Sequence, residues 1–187
     1  MKKQPEVTER TKAMLMDTFW QLYCQKGIHK ITVKDVTDKA GYNRSTFYQY
    51  FTDVYDVLNQ IEDSLIEYVA ENSQESLMSD GGDDTIQHLA QLYDSKGAYL
   101  SVLLGNGGDP MFVNKLKSVI RPLVMSRVGR NKTDFRTELL FEFAISGVLA
   151  AVTFWHNQGK IIPAEQIVVL VRTMLIHAAA SVIPQQS

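Results

Sequence analysis

Residues 31–51, ITVKDVTDKAGYNRSTFYQYF, gather the side chains of this chain best suited to recognition chemistry. Arg44 carries a planar fork of donors, Ser45 and Thr46 have hydroxyls that donate or accept, and the Gln49 carboxamide does both. Tyr48 adds a ring with a polar tip. Their spacing gives them a common direction. Phe47 and Phe51 lie one helical turn apart and point inward, so Ser45, Thr46 and Gln49 face away, with Arg44 and Tyr48 flanking. A short helix presenting donors, acceptors and rings outward is equipped to read a patterned partner by hydrogen bonds and apolar contact.

The elements that must hold these residues are written locally. Thr32 is a good N-cap, and Asp35 falls three residues later, where a capping-box acid reaches back to the free amides. Val33, Val36 and Ala40 give the helix between them one apolar face. Gly41 follows, where a left-handed residue ends a helix without steric cost. Asn43 is an N-cap for the next helix. Two helices around a glycine-containing turn, the second too short and too polar for a core, describe a DNA-reading helix-turn-helix. The same geometry also occurs in ordinary helical bundles, where the polar residues are a solvated face.

Helical periodicity runs through the rest of the chain. Residues 8–26 read as a first helix with Leu15, Met16, Phe19, Trp20, Leu22 and Tyr23 as a broad apolar stripe, ended by Gly27. A long helix spans about 54–77, with Leu58, Ile61, Leu65, Ile66 and Val69 at helical spacing. The Gly- and Asp-rich MSDGGDD segment then breaks the chain. Helices follow over about 84–93, 96–105, 109–130, 134–157 and 163–182, with GNGGDP at 105–110 as a turn cluster. Pro163 suits the first turn of the last helix. IIPAEQIVVLV has strand-like composition, but it adjoins RTMLIHAAA and no hairpin signal flanks it, so it reads as helix. The expected fold is all-α: a three-helix DNA-binding domain over 1–53, a linking helix over 54–77, and a helical ligand-binding and dimerisation domain over 78–187.

Composition bounds the class. A chain of 187 residues with 45% hydrophobic and 21% charged residues is ordinary for a soluble globular protein. The single Cys24 excludes an internal disulfide and fits a reducing compartment. No apolar run approaches the roughly 20 residues of a membrane span. No apolar signal core follows the two lysines of MKKQPEVTERTK, so the cytoplasm is the expected location. Charge is uneven: residues 1–51 hold nine Lys/Arg against five Asp/Glu, and residues 52–187 hold ten against sixteen. A basic head and an acidic body favour docking of the head on a polyanion.

A long helix ending near Gly27, then ITVKDVTDKAG, then STFYQYF and a second long helix resemble the amino-terminal domain of tetracycline-repressor-type (TetR/AcrR-type) transcriptional regulators. The likeness covers about residues 8–65, and Tyr48 and Phe51 occupy its most characteristic aromatic positions. More faintly, LLGNGGDPMFVNKLK and FEFAISGVLAAVTFWHNQG resemble the carboxy-terminal domain of a subgroup that includes regulators of dihydroxyacetone kinase operons. The resemblance implies a short helix in the major groove. It assigns base-edge and thymine-methyl contacts to Arg44, Ser45 and Tyr48, beside the N-cap Asn43. Phosphate contacts fall to Thr46, Gln49 and Tyr50, and backbone-flanking positions to Thr32 and Lys34, the latter also within reach of a base. Chemistry agrees, since an arginine grips guanine O6 and N7 with two hydrogen bonds. One departure stands out: the family lysine three residues after the last aromatic is Val54 here, preceded by Asp53.

The resemblance further implies a homodimer on a palindromic double-stranded operator, with half-sites roughly 34 Å or a multiple apart. The expected interface is helices 134–157 and 163–182, where Gly147, Ala150, Ala151 and Ala178 to Ala180 permit close approach; otherwise both helices complete one chain's own core. An unknown small-molecule effector would sit in the carboxy-terminal domain. Candidate lining residues are Tyr93, Tyr99, Leu103, Phe112, Leu116, Phe141, Ile145, Phe154 and Trp155, which read first as ordinary core and, as a pocket, would suit an apolar or aromatic ligand. Neither cofactor nor membrane partner is expected. A metal sensor is a lesser alternative: Asp84 and His88 are one helical turn apart and His156 and His177 lie in the same domain, but the four scattered histidines show no ligand-pair spacing. Against an enzyme, Cys24 has no histidine at motif spacing and reads as a buried structural thiol. The alternative function is a helical small-molecule-binding or interaction protein with weakened DNA binding.

Overall fold

The computed structural model describes residues 5–78, 95–105, 108–128 and 135–182, and all regular structure among these residues is helical. The chain forms two compact units, residues 1–64 and 65–187.

The first unit comprises α1 (Pro5–Lys26), a 3-10 turn (Ile28–Lys30), α2 (Val33–Ala40), α3 (Arg44–Phe47) and the start of α4 (Val54–Met78). Its core follows the four-residue repeat of α1: Leu15, Phe19 and Tyr23 are buried, and Val36, Phe47, Phe51, Val57 and Leu58 join them from the other elements. Met16, Trp20 and Leu22 flank that line and are only half-buried. Helix α1 ends where Gly27 adopts φ 69°, and α2 ends where Gly41 adopts φ 74°. Cys24 corrects the expectation of a buried thiol: it lies next to Tyr23 but on the outer face of α1 and is exposed. Partial burial still raises its thiol pKa. Thr37 is buried on α2, its hydroxyl donating to the Val33 and Lys34 carbonyls.

The second unit holds the remainder of α4, α5 (residues 95–103), α6 (Pro110–Val128), α7 (Phe135–Asn157) and α8 (Ala164–Val182). Lys96 and Ser95 of α5 reach Tyr68 of α4, the ammonium 5.3 Å from the ring centre and the two hydroxyls 3.2 Å apart. Helices α6 and α7 are tied by Lys117–Glu142 at 2.6 Å and by Arg121–Glu138, with Arg121 also over the Phe141 ring. Trp155 donates its indole N–H to the Ile162 carbonyl at 2.7 Å, closing the α7–α8 turn through Gly159 and Lys160, both at positive φ. Pro163 sits one residue before α8, and its carbonyl accepts from Gln166 and Ile167. The α5–α6 turn needs Gly108, where an added Cβ would lie 1.9 Å from the Leu103 carbonyl oxygen. The helix expected over 84–93, most of MSDGGDD and Tyr93 lie outside the described residues.

One expectation changes for α7. The sequence reading finds no apolar run of spanning length, yet α7 (Phe135–Asn157) holds an 18-residue stretch that is apolar enough, by length and composition alone, to cross a membrane. Two of its charges, Glu138 and Glu142, are engaged in the ion pairs to α6. Just 28% of that stretch is buried within the chain.

Candidate nucleic-acid interface

The recognition segment is positioned from both ends. At the start of α2 the capping box is complete: the Asp35 amide donates to Thr32 Oγ1 at 3.2 Å, and the Thr32 amide and hydroxyl both donate to Asp35 Oδ2 at 2.9 Å. Lys26, in the last turn of α1, adds a 3.1 Å bond to the same carboxylate oxygen and pins α1 to α2. The donated Thr32 amide, then Lys26 and the Thr32 hydroxyl, hold the Asp35 carboxyl down at about 2. At α3 the Asn43 side chain accepts from the Thr46 amide at 2.8 Å.

Helix α3 is one turn long, and residues 48–50 continue it as a turn, with the Tyr50 and Phe51 amides donating to the Phe47 carbonyl. Phe47 and Phe51 are buried with ring centres 5.4 Å apart, as the spacing predicts. Opposite them Asn43, Arg44, Ser45, Tyr48 and Gln49 are exposed, while Thr46 and Tyr50 are half-buried. Thr32 and Lys34 are exposed at the start of α2. The structure thus brings the nine sequence-derived contact candidates onto the capped end of α2 and the outer side of α3 and its following turn. Thr32 brings a hydroxyl already engaged by Asp35 in both directions.

Val54 is 7% exposed and belongs to the core. Around it the start of α4 is capped by acids: Asp53 Oδ1 accepts from the Asp56 amide at 2.8 Å, and Asp56 Oδ2 accepts from the Thr52 amide at 2.7 Å. The bond from Thr52 lowers the Asp56 pKa against a smaller opposing effect of burial. Gln60 donates to Asp56 Oδ1 at 3.1 Å and to the Tyr50 carbonyl at 3.5 Å, linking α4 to the exit of the recognition segment. Sequence reasoning did not single out Lys26, Asp56 or Gln60. The local spacings 52, 56 and 60 carried a signal for the last two, whereas Lys26 meets Asp35 only after the chain folds back.

In the second unit, Leu103, Phe112, Leu116, Phe141, Ile145 and Trp155 are buried and Tyr99 is half-buried. Phe154, grouped with them in sequence, is 66% exposed, on the side of α7 opposite its neighbour Trp155. Burial, and then Lys160, push the His156 pKa down, while His177 is exposed and bonded to the Thr173 carbonyl at 2.7 Å. Among the described residues no three His, Cys, Asp or Glu converge on a metal-sized site.

The model of the bacterial regulatory proteins of the tetR family matches residues 15–61, and that of a transcriptional regulator C-terminal region matches residues 83–177. The chain belongs to the tetR family. Tetracycline-repressor-type regulators are DNA-binding helix-turn-helix proteins rather than enzymes, and the capped helix pair at 32–51 is that motif here. Solved structures share the tetR-family fold. A TetR transcriptional regulator from Streptococcus agalactiae is 23% identical with a TM-score of 0.65, the match covering 91% of this chain and 96% of that one. The dihydroxyacetone kinase operon activator DhaS is 15% identical with a TM-score of 0.57, covering 93% and 98%. The transcriptional repressor FadR of Thermus thermophilus, in complex with lauroyl-CoA, is 13% identical with a TM-score of 0.53, covering 94% and 97%. No curated protein matches.

Proposed function

We propose that this tetR-family regulator acts in the cytoplasm as a homodimer that binds a palindromic operator, represses transcription, and is modulated by a small molecule in its second unit. The observation carrying the DNA reading is the opposition of buried Phe47 and Phe51 to exposed Arg44, Ser45 and Tyr48 on a one-turn helix capped by Asn43. That helix has too little length to contribute a core of its own, and its outward groups match base edges and phosphates. A named activator and a named repressor both share this fold.

Dimerisation is supported by apolar surface that one chain leaves uncovered. Phe135, Leu139, Phe143 and Phe154 on α7, and Val169, Leu170, Met174 and Ile176 on α8, are all exposed. Exposed Gly147 and Ala150, with half-buried Ala151, leave room for a partner helix. The effector reading rests on the buried apolar side chains of the second unit, Phe112, Phe141 and Trp155 among them, which suit an apolar or aromatic molecule.

An anisotropy titration against the DNA upstream of the protein's own gene, at two salt concentrations, tests the proposal. Selective binding that weakens with salt is expected. Arg44→Ala or Tyr48→Ala should abolish it while the dimer persists in sedimentation, and unchanged operator affinity in both variants refutes the groove assignment. No preference over random DNA would favour a ligand-binding helical protein with a weakened head, for which the buried Val54 and acidic start of α4 are the structural argument.

A further inference from the structure

Asn43 does more than cap α3. Three donors converge on its side-chain oxygen: Ser45 Oγ at 2.6 Å, the Thr46 amide at 2.8 Å and Thr46 Oγ1 at 2.9 Å. A backbone N–H can only donate, so the carboxamide atom facing it is the oxygen, and the orientation of the amide follows. That oxygen can only accept, so a hydroxyl bonded to it gives up its one proton. Three donors meet two lone pairs. The Thr46 amide takes one, the hydroxyls compete for the other, and Ser45 at 2.6 Å holds the shorter bond. Ser45, exposed, keeps its proton on Asn43 and turns lone pairs outward.

From this geometry we infer that Ser45 reads an exocyclic amine, adenine N6 or cytosine N4, in the major groove, and that Asn43 is the positioning residue that sets its polarity. The inference rests on the DNA-reading role proposed above. The other major-groove groups able to hydrogen-bond, N7, O6 and O4, are acceptors, as are phosphate oxygens. None of them can pair with a hydroxyl whose proton is committed elsewhere. The amine is the partner left.

The test begins with operators selected by the wild-type protein from randomised duplexes. Affinities of wild type, Ser45→Ala and Asn43→Gly are then measured on duplexes carrying single amine-less bases, purine for adenine or 2-pyrimidinone for cytosine. Duplexes with 7-deazapurines, which lack N7, serve as the comparison. At one position per half-site, loss of the amine should weaken wild type about fivefold more than it weakens Ser45→Ala. In Asn43→Gly, where glycine still serves as an N-cap, that difference should vanish although Ser45 is present. Coupling of Ser45 to an N7 instead, or to no position, overturns the inference while leaving DNA reading intact. A wild-type protein that selects no sequence overturns the DNA-reading role itself.

Discussion

The carboxylate of Asp35 answers to the Thr32 amide, the Thr32 hydroxyl and the Lys26 ammonium through one oxygen. Its folded pKa of about 2 lies below the ordinary carboxylate value. The sign follows directly: the stabilisation is fully present above roughly pH 4 and disappears as pH falls through about 2. Carboxyl-carbon NMR should show Asp35 titrating near 2 in the native protein. In Thr32→Val the hydroxyl donor is lost and the titration should move up toward the ordinary range; an unmoved midpoint would deny the capping box its role. Operator affinity should owe nothing to this group between pH 5 and 8, because it stays ionised throughout.

At the scale of elements, two positions separate local chemistry from long-range packing. Val54 opens α4 where the family places a lysine, but it is a core residue. Val54→Lys should therefore lower stability by roughly 1–3 kcal/mol in urea unfolding, without steepening the salt dependence of DNA binding. Gly108 is demanded by backbone: Gly108→Ala pushes a Cβ into the Leu103 carbonyl and should destabilise the α5–α6 turn by about 2 kcal/mol, read as a lower unfolding midpoint. The caps at Thr32 and Asn43, the left-handed Gly41 and the inward Phe47 and Phe51 were legible in the sequence because each rests on neighbours within four residues. The exposure of Cys24, the burial of Val54 and the division between Phe154 and Trp155 were not, since each depends on which neighbouring helix covers that face. The apolar stretch of α7 escaped the sequence reading because charged and polar residues interrupt it, although its average stays apolar.

For the whole molecule, the uncovered apolar faces of α7 and α8 carry the proposed self-association. Phe143→Glu combined with Met174→Glu places charges on both faces at exposed sites. Sedimentation velocity should then report a monomer, and operator affinity should fall because one head engages one half-site. A dimer that survives both substitutions would place the interface elsewhere, as would a dimer formed by a fragment ending before residue 134.

Because α3 is a single turn, the residues proposed to meet DNA are almost the only ones it has to spare. Arg44, Ser45 and Tyr48 are exposed, whereas Phe47 and the Asn43 cap hold the turn in place. A gene duplicate could exchange the outer three for others at little cost to folding. New addresses in a genome are then a few codons away, while the scaffold that delivers them stays under strict constraint.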